Sequence, residues 1–189
     1  MSSTILVTGP TKSGKSEWAE QLADQSGTPV VYVATSLNRG DDAEWQARIA
    51  AHQQRRPETW RLIEESQALA TVLRHAPADE CWLVDALGTW LANCLDQSDA
   101  EWQATSEALL AAIAAFPGTL ILVAEETGWG IVPAYPAGRL FRDRLGTLTR
   151  QVGAIVDTTY LVVAGFAVEL STVGIPIQTS EDSQKFGSG

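Results

Sequence analysis

Five short runs of mainly apolar residues punctuate the chain, and longer stretches that mix polar and apolar positions separate them. The runs cover residues 5–8, 29–34, 81–85, 119–124 and 159–164. Their apolar residues are consecutive rather than alternating, which is typical of strands covered on both faces. The pattern therefore predicts an α/β fold, a doubly wound and mostly parallel sheet with helices on both faces.

The stretches between these runs have the hydrophobic spacing of helices. The predicted helices cover residues 17–23, 41–56, 65–75, 88–95, 99–116 and 139–156. In such a sheet, ligands bind outside the carboxyl ends of the strands. We therefore expect the binding site in the loops that follow Thr8, Ala34, Asp85 and Ala124.

The eight residues after the first run have the spacing G-x-x-x-x-G-K-[ST] of a phosphate-binding loop, and they stand between a strand and a helix as the motif requires. They are Gly9, Pro10, Thr11, Lys12, Ser13, Gly14, Lys15 and Ser16. The two glycines allow backbone N–H groups to converge on one point, and the next helix adds the positive end of its dipole. Lys15 would contact the β and γ phosphates, and the Ser16 hydroxyl would bind Mg²⁺. The alternative is a glycine turn that caps an ordinary helix.

The composition suits one compact domain. The chain has 189 residues, of which 45% are hydrophobic, and we expect a single nucleotide-binding domain over residues 1–178 and a disordered tail over 179–189. No apolar run reaches the roughly 18 residues that cross a bilayer. The first four residues also lack the basic region of a signal peptide. We therefore expect a soluble, cytoplasmic protein without a membrane span.

The formal net charge of −10 repels nucleic acid and anionic membranes, so we expect no nucleic-acid partner. A bound nucleotide would have to be held by local cations. The candidates are Lys12, Lys15, Arg48, Arg55 and Arg56. Cys81 and Cys94 lie in or beside apolar segments, which favours buried free thiols over a disulfide or a metal pair.

Two residues outside the loop have the chemistry of a phosphoryl-transfer site. Asp85 ends the third run, where an acid can complete the shell of a magnesium ion; alternatively it caps the next helix. His52 lies on the predicted helix 41–56 between Arg48 and Arg55, whose charges should lower its proton affinity. A neutral imidazole could attack a phosphorus atom, although a lone histidine on a helix is more often a surface or packing residue.

Seven blocks of residues occur in order between about Thr4 and Gly165. They are the phosphate loop, Tyr32-Val33-Ala34-Thr35-Ser36, Arg48-Ile49-Ala50-Ala51-His52 followed by Arg56-Pro57 and Trp60, Leu83-Val84-Asp85, Gly128-Trp129-Gly130-Ile131-Val132-Pro133, Arg139 with Phe141-Arg142-Asp143 and Gly146, and Leu161-Val162-Val163-Ala164-Gly165. Through these blocks the chain resembles the bifunctional adenosylcobinamide kinase and adenosylcobinamide-phosphate guanylyltransferase family of cobalamin biosynthesis. The resemblance implies the P-loop nucleotide-binding type of α/β fold.

The resemblance also implies two reactions on one chain. In the first, a nucleoside triphosphate, ATP or GTP, gives its γ-phosphoryl group to the aminopropanol hydroxyl of adenosylcobinamide. In the second, GTP loses pyrophosphate as a family histidine becomes guanylylated, and the GMP passes to adenosylcobinamide phosphate. The residue that matches this histidine is His52. The family assembles as trimers, so we expect a homotrimer.

The same resemblance implies which residues line the nucleotide site and bind its metal. Besides the phosphate loop they are Ala34, Thr35, Ser36, Gln53, Gln54, Arg55, Arg56, Glu64 and Asp85. Ser16 and Asp85 would hold Mg²⁺. On chemical grounds alone, Glu64 could accept hydrogen bonds from N1 and N2 of guanine, which adenine cannot supply in that arrangement.

The chain departs from the family pattern at several positions. Pro10 and Lys12 stand where the family usually has Gly and Arg; Lys12 keeps the charge, so we expect nucleotide binding to survive. Glu125 stands where relatives often carry Asn, and Thr149-Arg150 where they often carry Asn-Gln. We expect these residues on the corrinoid side or at a subunit contact. Guanylylation is therefore better supported by the sequence than phosphorylation of the corrinoid.

Two other functions fit the phosphate loop. One is a GTP-binding regulatory module that reads the nucleotide state without transferring any group. The other is a simple small-molecule kinase in which His52 has a structural role. Neither would form a covalent nucleotide adduct, which separates both from the guanylyltransferase.

Overall fold

The computed structural model describes residues 2–36 and 57–177. These residues form a seven-stranded sheet with the strand order β3-β2-β4-β5-β1-β6-β7. The strands are β1 (Ser3–Gly9), β2 (Val30–Ala34), β3 (Arg61–Glu64), β4 (Cys81–Asp85), β5 (Thr119–Glu125), β6 (Thr158–Val163) and β7 (Phe166–Glu169). The helices of the described part are α1 (Lys15–Asp24), α2 (Leu69–Arg74), α3 (Leu87–Asn93), α4 (Asp99–Ala114), α5 (Pro136–Gly153) and α6 (Leu170–Val173).

The first six strands run parallel, and β7 pairs with β6 in the antiparallel direction. The predicted α/β fold with a mostly parallel sheet is therefore confirmed. All five apolar runs became strands. The sequence missed β3 and β7, which have four residues each and lie at the two edges of the sheet. The predicted helix over 41–56 lies outside the described residues, as does the predicted tail.

The sheet is covered by apolar residues on both faces because successive residues of a strand point to opposite sides. Leu6, Leu120 and Leu122 pack with buried residues of α2 to α5 in one cluster. Val7, Ile121 and Val123 pack with Ala19 and Ala23 of α1 in the other. This two-sided burial explains why the central strands read as continuous apolar runs.

The two cysteines lie in different clusters, Cys94 on the α2–α5 face and Cys81 on the α1 face. Both are buried free thiols, as the sequence predicted. None of the helices in the described ranges is long and apolar enough to cross a membrane. The cytoplasmic location, the single-domain boundary and the disordered tail stay predictions.

The register of the parallel strands brings their carboxyl ends to one edge of the sheet. Gly9 of β1 is paired with Glu125 of β5, and Ala34 of β2 is paired with Asp85 of β4 on one side and Glu64 of β3 on the other. The loops after these strands therefore meet where the sequence placed the binding site.

Candidate nucleotide-binding site

The phosphate loop connects β1 to α1. Lys12 and Gly14 have positive φ angles of 60° and 97°, and the Ser13 N–H donates to the Pro10 carbonyl at 3.3 Å. Such a left-handed sequence of residues turns successive N–H groups toward one side of the loop. Gly14 is also the N-cap residue of α1, so the positive end of this helix faces the same concavity.

Gly9 must be a glycine because of a neighbouring strand. A Cβ atom at this position would collide with the backbone carbonyl oxygen of Val162 in β6. The turn that follows β6 also reaches the loop. In the turn between β6 and β7, Ala164 and Gly165 both have positive φ, and the Gly165 N–H donates to the Ser13 carbonyl at 3.2 Å. The phosphate loop is thus braced from β6.

Lys15 lies inside the loop. Its side chain is buried, and its Nζ donates to the Pro10 carbonyl at 3.3 Å. A buried ammonium group that donates to a neutral carbonyl is suited to bind an anion, because a phosphate oxygen is a stronger acceptor than a peptide oxygen. The geometry of Lys15 therefore fits the role that the motif predicts.

Asp85 ends β4, and the Tyr32 hydroxyl donates to its Oδ2 at 2.8 Å. The alternative that Asp85 caps the following helix is not observed: the N-cap residue of α3 is Ala86, which makes no side-chain cap hydrogen bond. The Asp85 carboxylate therefore lies at the carboxyl end of β4, at the edge of the sheet where the site is expected.

The turn after β2 is tied to the same segment. The buried Thr35 hydroxyl donates to the Ala86 carbonyl at 2.7 Å and accepts from the Ala86 N–H at 2.9 Å. The Asn93 side chain of α3 donates to the Thr35 carbonyl at 2.8 Å. These bonds fix Ala34, Thr35 and Ser36 beside Asp85. The peptide bond between Asp85 and Ala86 is cis.

Glu125 ends β5 at the phosphate end of the site. Its Oε2 accepts from the Gly88 N–H at 2.9 Å, at the start of α3. Burial raises the pKa of the Glu125 carboxyl, the charge of Asp85 raises it further, and the charge of Lys15 opposes both. Glu125 therefore lies within electrostatic range of two predicted site residues, a position that the sequence did not assign to it.

The loop after Glu125 exposes large apolar side chains. Trp129 is 61% exposed, Tyr135 78% and Ile131 97%. Of the other two departures from the family pattern, Arg150 is exposed on α5, and the Thr149 hydroxyl is buried with no hydrogen-bond partner in the described part.

The structure brings some predicted site residues together and separates others. The phosphate loop, Asp85 and the 34–36 turn share one edge of the sheet. Glu64 is exposed at the end of β3, four strand spacings from β1, which corresponds to about 19 Å. His52, Gln53, Gln54, Arg55 and Arg56 lie outside the described residues.

The oxygen donors at this edge suit a hard cation such as Mg²⁺, which commonly binds one or two protein oxygens together with substrate phosphates and water. Ser16 on the first turn of α1 and Asp85 at the end of β4 supply such oxygens. No group of three or more His, Cys, Asp or Glu side chains in the described ranges could hold a metal by itself. The donor set therefore fits an ion that arrives with a nucleotide.

A protein-family model described as "Cobinamide kinase / cobinamide phosphate guanyltransferase" matches residues 5–170. The chain belongs to this family. The resemblance that the sequence blocks indicated is therefore confirmed. The matched range includes the phosphate loop, Asp85 and Glu125, so the site described above lies entirely within the family domain.

Curated relatives match the family domain over most of their length. "Bifunctional adenosylcobalamin biosynthesis protein CobP" of Pseudomonas aeruginosa PAO1 is 41% identical over 167 residues, covering 87% of this chain and 95% of the relative. "Bifunctional adenosylcobalamin biosynthesis protein CobU" of Escherichia coli K12 is 37% identical over 182 residues, covering 88% and 98%.

Solved structures with low sequence identity share the fold of the family member. A type III secretion system ATPase from pathogenic bacteria has a TM-score of 0.57 and 11% identity, covering 96% of this chain and 60% of its own. A Pyrococcus horikoshii OT3 protein, PH0250, has a TM-score of 0.55 and 10% identity, covering 95% and 88%. At this identity the likeness supports the P-loop type of α/β fold alone.

Glu125 and Gly88 are the site residues that the sequence did not find. Glu125 follows the predicted strand 119–124 directly, which was a usable signal because the loops after such strands form the site. No local feature of the sequence indicated the hydrogen bond between the Gly88 N–H and the Glu125 carboxylate, because this bond depends on how β4 and β5 are paired.

Proposed function

We propose that this chain is a bifunctional enzyme of cobalamin nucleotide-loop assembly. It phosphorylates adenosylcobinamide with a nucleoside triphosphate, and it transfers GMP from GTP to adenosylcobinamide phosphate, giving adenosylcobinamide-GDP and pyrophosphate. The observation that carries this proposal is a phosphate loop with a buried Lys15, beside Asp85, within a family match over residues 5–170.

In the kinase reaction, the loop N–H groups and Lys15 hold the β and γ phosphates and stabilise the charge that develops on them. Ser16 and Asp85 would hold Mg²⁺, which supplies positive charge to the phosphate oxygens when it is bound. The Tyr32 hydroxyl orients the Asp85 carboxylate. The structure therefore supplies positioning and electrostatics, which are the main needs of phosphoryl transfer.

In the guanylyl transfer, the nucleophile is His52. Its imidazole attacks the α-phosphorus of GTP, an N–P bond forms, and pyrophosphate leaves with its charge held by the loop amides and Lys15. We expect the charges of Arg48 and Arg55, which are on the same predicted helix, to lower the proton affinity of the imidazole. The phosphate of the corrinoid then attacks the same phosphorus, and His52 is released.

The nucleotide would extend from the phosphate loop along the strand ends. Ala34, Thr35 and Ser36 lie next to Asp85, and Gln53, Gln54, Arg55 and Arg56 follow the histidine in the sequence. For Glu64 to bind guanine, the nucleotide must cross the ends of β5, β4 and β2 to reach β3. A homotrimer, in which a neighbouring subunit could complete the pocket, stays a prediction.

The test uses GTP labelled at the α-phosphate. We expect the protein to acquire acid-labile, base-stable label, to lose it in His52→Ala, and to release it on addition of adenosylcobinamide phosphate. The chain has only two histidines, so His75→Ala is a matched control. His75 is exposed at the end of α2, where its Nδ1 contacts the Thr71 carbonyl at 2.7 Å.

The outcomes separate the candidate functions. Label that persists in His52→Ala, or that is lost in His75→Ala, contradicts the assignment. GTP binding with slow hydrolysis and no label indicates a regulatory module. Transfer of a γ-phosphate label to an acceptor without any α-label on the protein indicates a simple kinase.

A further inference from the structure

We propose that Glu125 is a catalytic residue of the kinase reaction, which accepts the proton of the acceptor hydroxyl. The inference rests on the kinase half of the proposed function. It concerns Glu125, which departs from the family pattern and is not among the residues predicted to form the nucleotide site.

Glu125 lies beside the phosphate loop at the edge of the sheet. β5 lies between β1, which carries the phosphate loop, and β4, which carries Asp85. Glu125 is the last residue of β5 and is paired with Gly9, the first residue of the loop. The Glu126 N–H donates to the Gly9 carbonyl at 2.9 Å, which holds the two strand ends together. A side chain at this point is next to the terminal phosphates of a loop-bound nucleotide.

The Glu125 carboxylate is held in place by a hydrogen bond. The Gly88 N–H donates to its Oε2 at 2.9 Å. A Cβ atom at residue 88 would collide with the Glu125 carboxylate, so the glycine makes the room that this side chain occupies. The Gly88 N–H and the backbone N–H of Glu125 itself use two of the roughly four acceptor positions of a carboxylate, which leaves capacity for a hydroxyl.

The electrostatic surroundings of Glu125 also suit proton transfer. Among residues 2–36 and 57–177, the charged groups that act on Glu125 are Asp85 from β4 and Lys15 from α1. Desolvation makes the carboxylate more basic than an exposed glutamate, while Lys15 favours its ionised form. A partly desolvated carboxylate beside the lysine that binds the γ-phosphate suits proton transfer from an alcohol.

The step balances as follows. The acceptor oxygen forms a bond to the γ-phosphorus while its O–H bond breaks and the proton moves to a Glu125 oxygen. The bond between the γ-phosphorus and the β,γ-bridging oxygen breaks, and its electron pair stays on the nucleoside diphosphate. Glu125 then returns the proton to solvent when the products leave.

A purely structural role is the competing explanation, because Glu125 also ties β5 to the start of α3. Glu125→Gln separates the two roles. An amide oxygen can still accept from the Gly88 N–H, whereas the amide cannot take up a proton at neutral pH. The structural role predicts a nearly unchanged turnover in this variant.

The experiment measures phosphorylation of adenosylcobinamide at saturating nucleotide, together with the dissociation constant of the nucleotide. For Glu125→Gln we expect kcat to fall by about 10²- to 10⁴-fold, and nucleotide affinity to change by no more than about threefold. The control Glu107→Gln makes the same chemical change on an exposed residue of α4, and it should leave kcat unchanged.

A kcat of Glu125→Gln within about threefold of the unaltered protein overturns the inference, as does a loss confined to nucleotide affinity. If that variant does not fold, Glu125→Ala is measured instead. We expect sodium formate to restore part of the kcat of Glu125→Ala, because formate can take the place of the missing carboxylate. No restoration overturns the inference. Failure of the proposed function is seen separately, because the unaltered chain would then phosphorylate no corrinoid.

Discussion

Gly9 and Gly88 both lie close to a group from another element, a fixed backbone carbonyl at Gly9 and the end of a side chain at Gly88, but only Gly9 could be explained from the sequence. At each position a Cβ atom would collide with a group from another element, the Val162 carbonyl at Gly9 and the Glu125 carboxylate at Gly88. Gly9 belongs to a motif of known spacing. Gly88 does not, and its neighbour is 37 positions away in the chain. The role of a residue that depends on how the strands pair could therefore not be predicted from the sequence.

Asp157 gives a prediction at this scale. The Thr4 N–H donates to Asp157 Oδ2 at 2.7 Å and the Thr4 hydroxyl at 3.0 Å, and these bonds hold the pKa of the Asp157 carboxyl below its ordinary value. Because the pKa is lower in the folded than in the unfolded state, the carboxylate stabilises the fold above the unfolded-state pKa. This stabilisation is lost as the pH falls through the folded-state pKa.

We expect Asp157→Asn to lower the free energy of unfolding by about 1 kcal/mol at pH 7, a small value because the residue is exposed. The difference should shrink as the pH falls below about 3.9, the ordinary value for aspartate. Urea unfolding at several pH values measures it, with the exposed Asp79→Asn as control. An unchanged difference between neutral and strongly acidic pH would contradict the explanation.

The starts of the helices show which features of an element can be predicted from the local sequence. α4 begins at Asp99, where the sequence placed it, because Ser98 and Glu101 form a capping box. α2 begins at Leu69 rather than at residue 65. The Glu65 carboxylate accepts from the Gln67 and Ala68 N–H groups and so forms a turn before the helix. The hydrophobic spacing of the sequence did not indicate this turn.

The capping box of α4 can be tested directly. Ser98→Ala removes the oxygen that accepts from the Glu101 N–H, and we expect a loss of about 1 kcal/mol in the free energy of unfolding. Ser98→Thr keeps a hydroxyl at the same place and should lose much less. Chemical denaturation of the three proteins measures the effect. Equal losses in both variants would show that the hydroxyl does not act as a cap.

At the scale of the whole molecule, the central strands were predictable and the edges were not. β1, β2, β4 and β5 are apolar runs because both faces of the sheet are covered along them, whereas most residues of β6 are only half-buried. The edge strands β3 and β7 have mostly exposed residues, and no apolar run reveals them. The sequence likewise predicted the phosphate loop and Asp85, but Glu125 required the strand order.

The two cysteines lie on opposite faces of the sheet, so the reactivity of each thiol tests whether its face is covered. Burial raises the pKa of Cys81 to about 11 and raises that of Cys94, so both thiols are protonated at neutral pH and enclosed by apolar residues. We expect neither to react with a thiol reagent at pH 7.5 in the folded protein, and both to react in denaturant. Rapid reaction of one thiol in the folded state would show that its face of the sheet is open.

The contact between Gly165 and Ser13 links an edge of the sheet to the place where phosphates are expected to bind. The hairpin that ends in β7 and the phosphate loop share a single amide hydrogen, so strain applied to one is transmitted to the other. Deuterium uptake at the hairpin should consequently slow when the loop is filled.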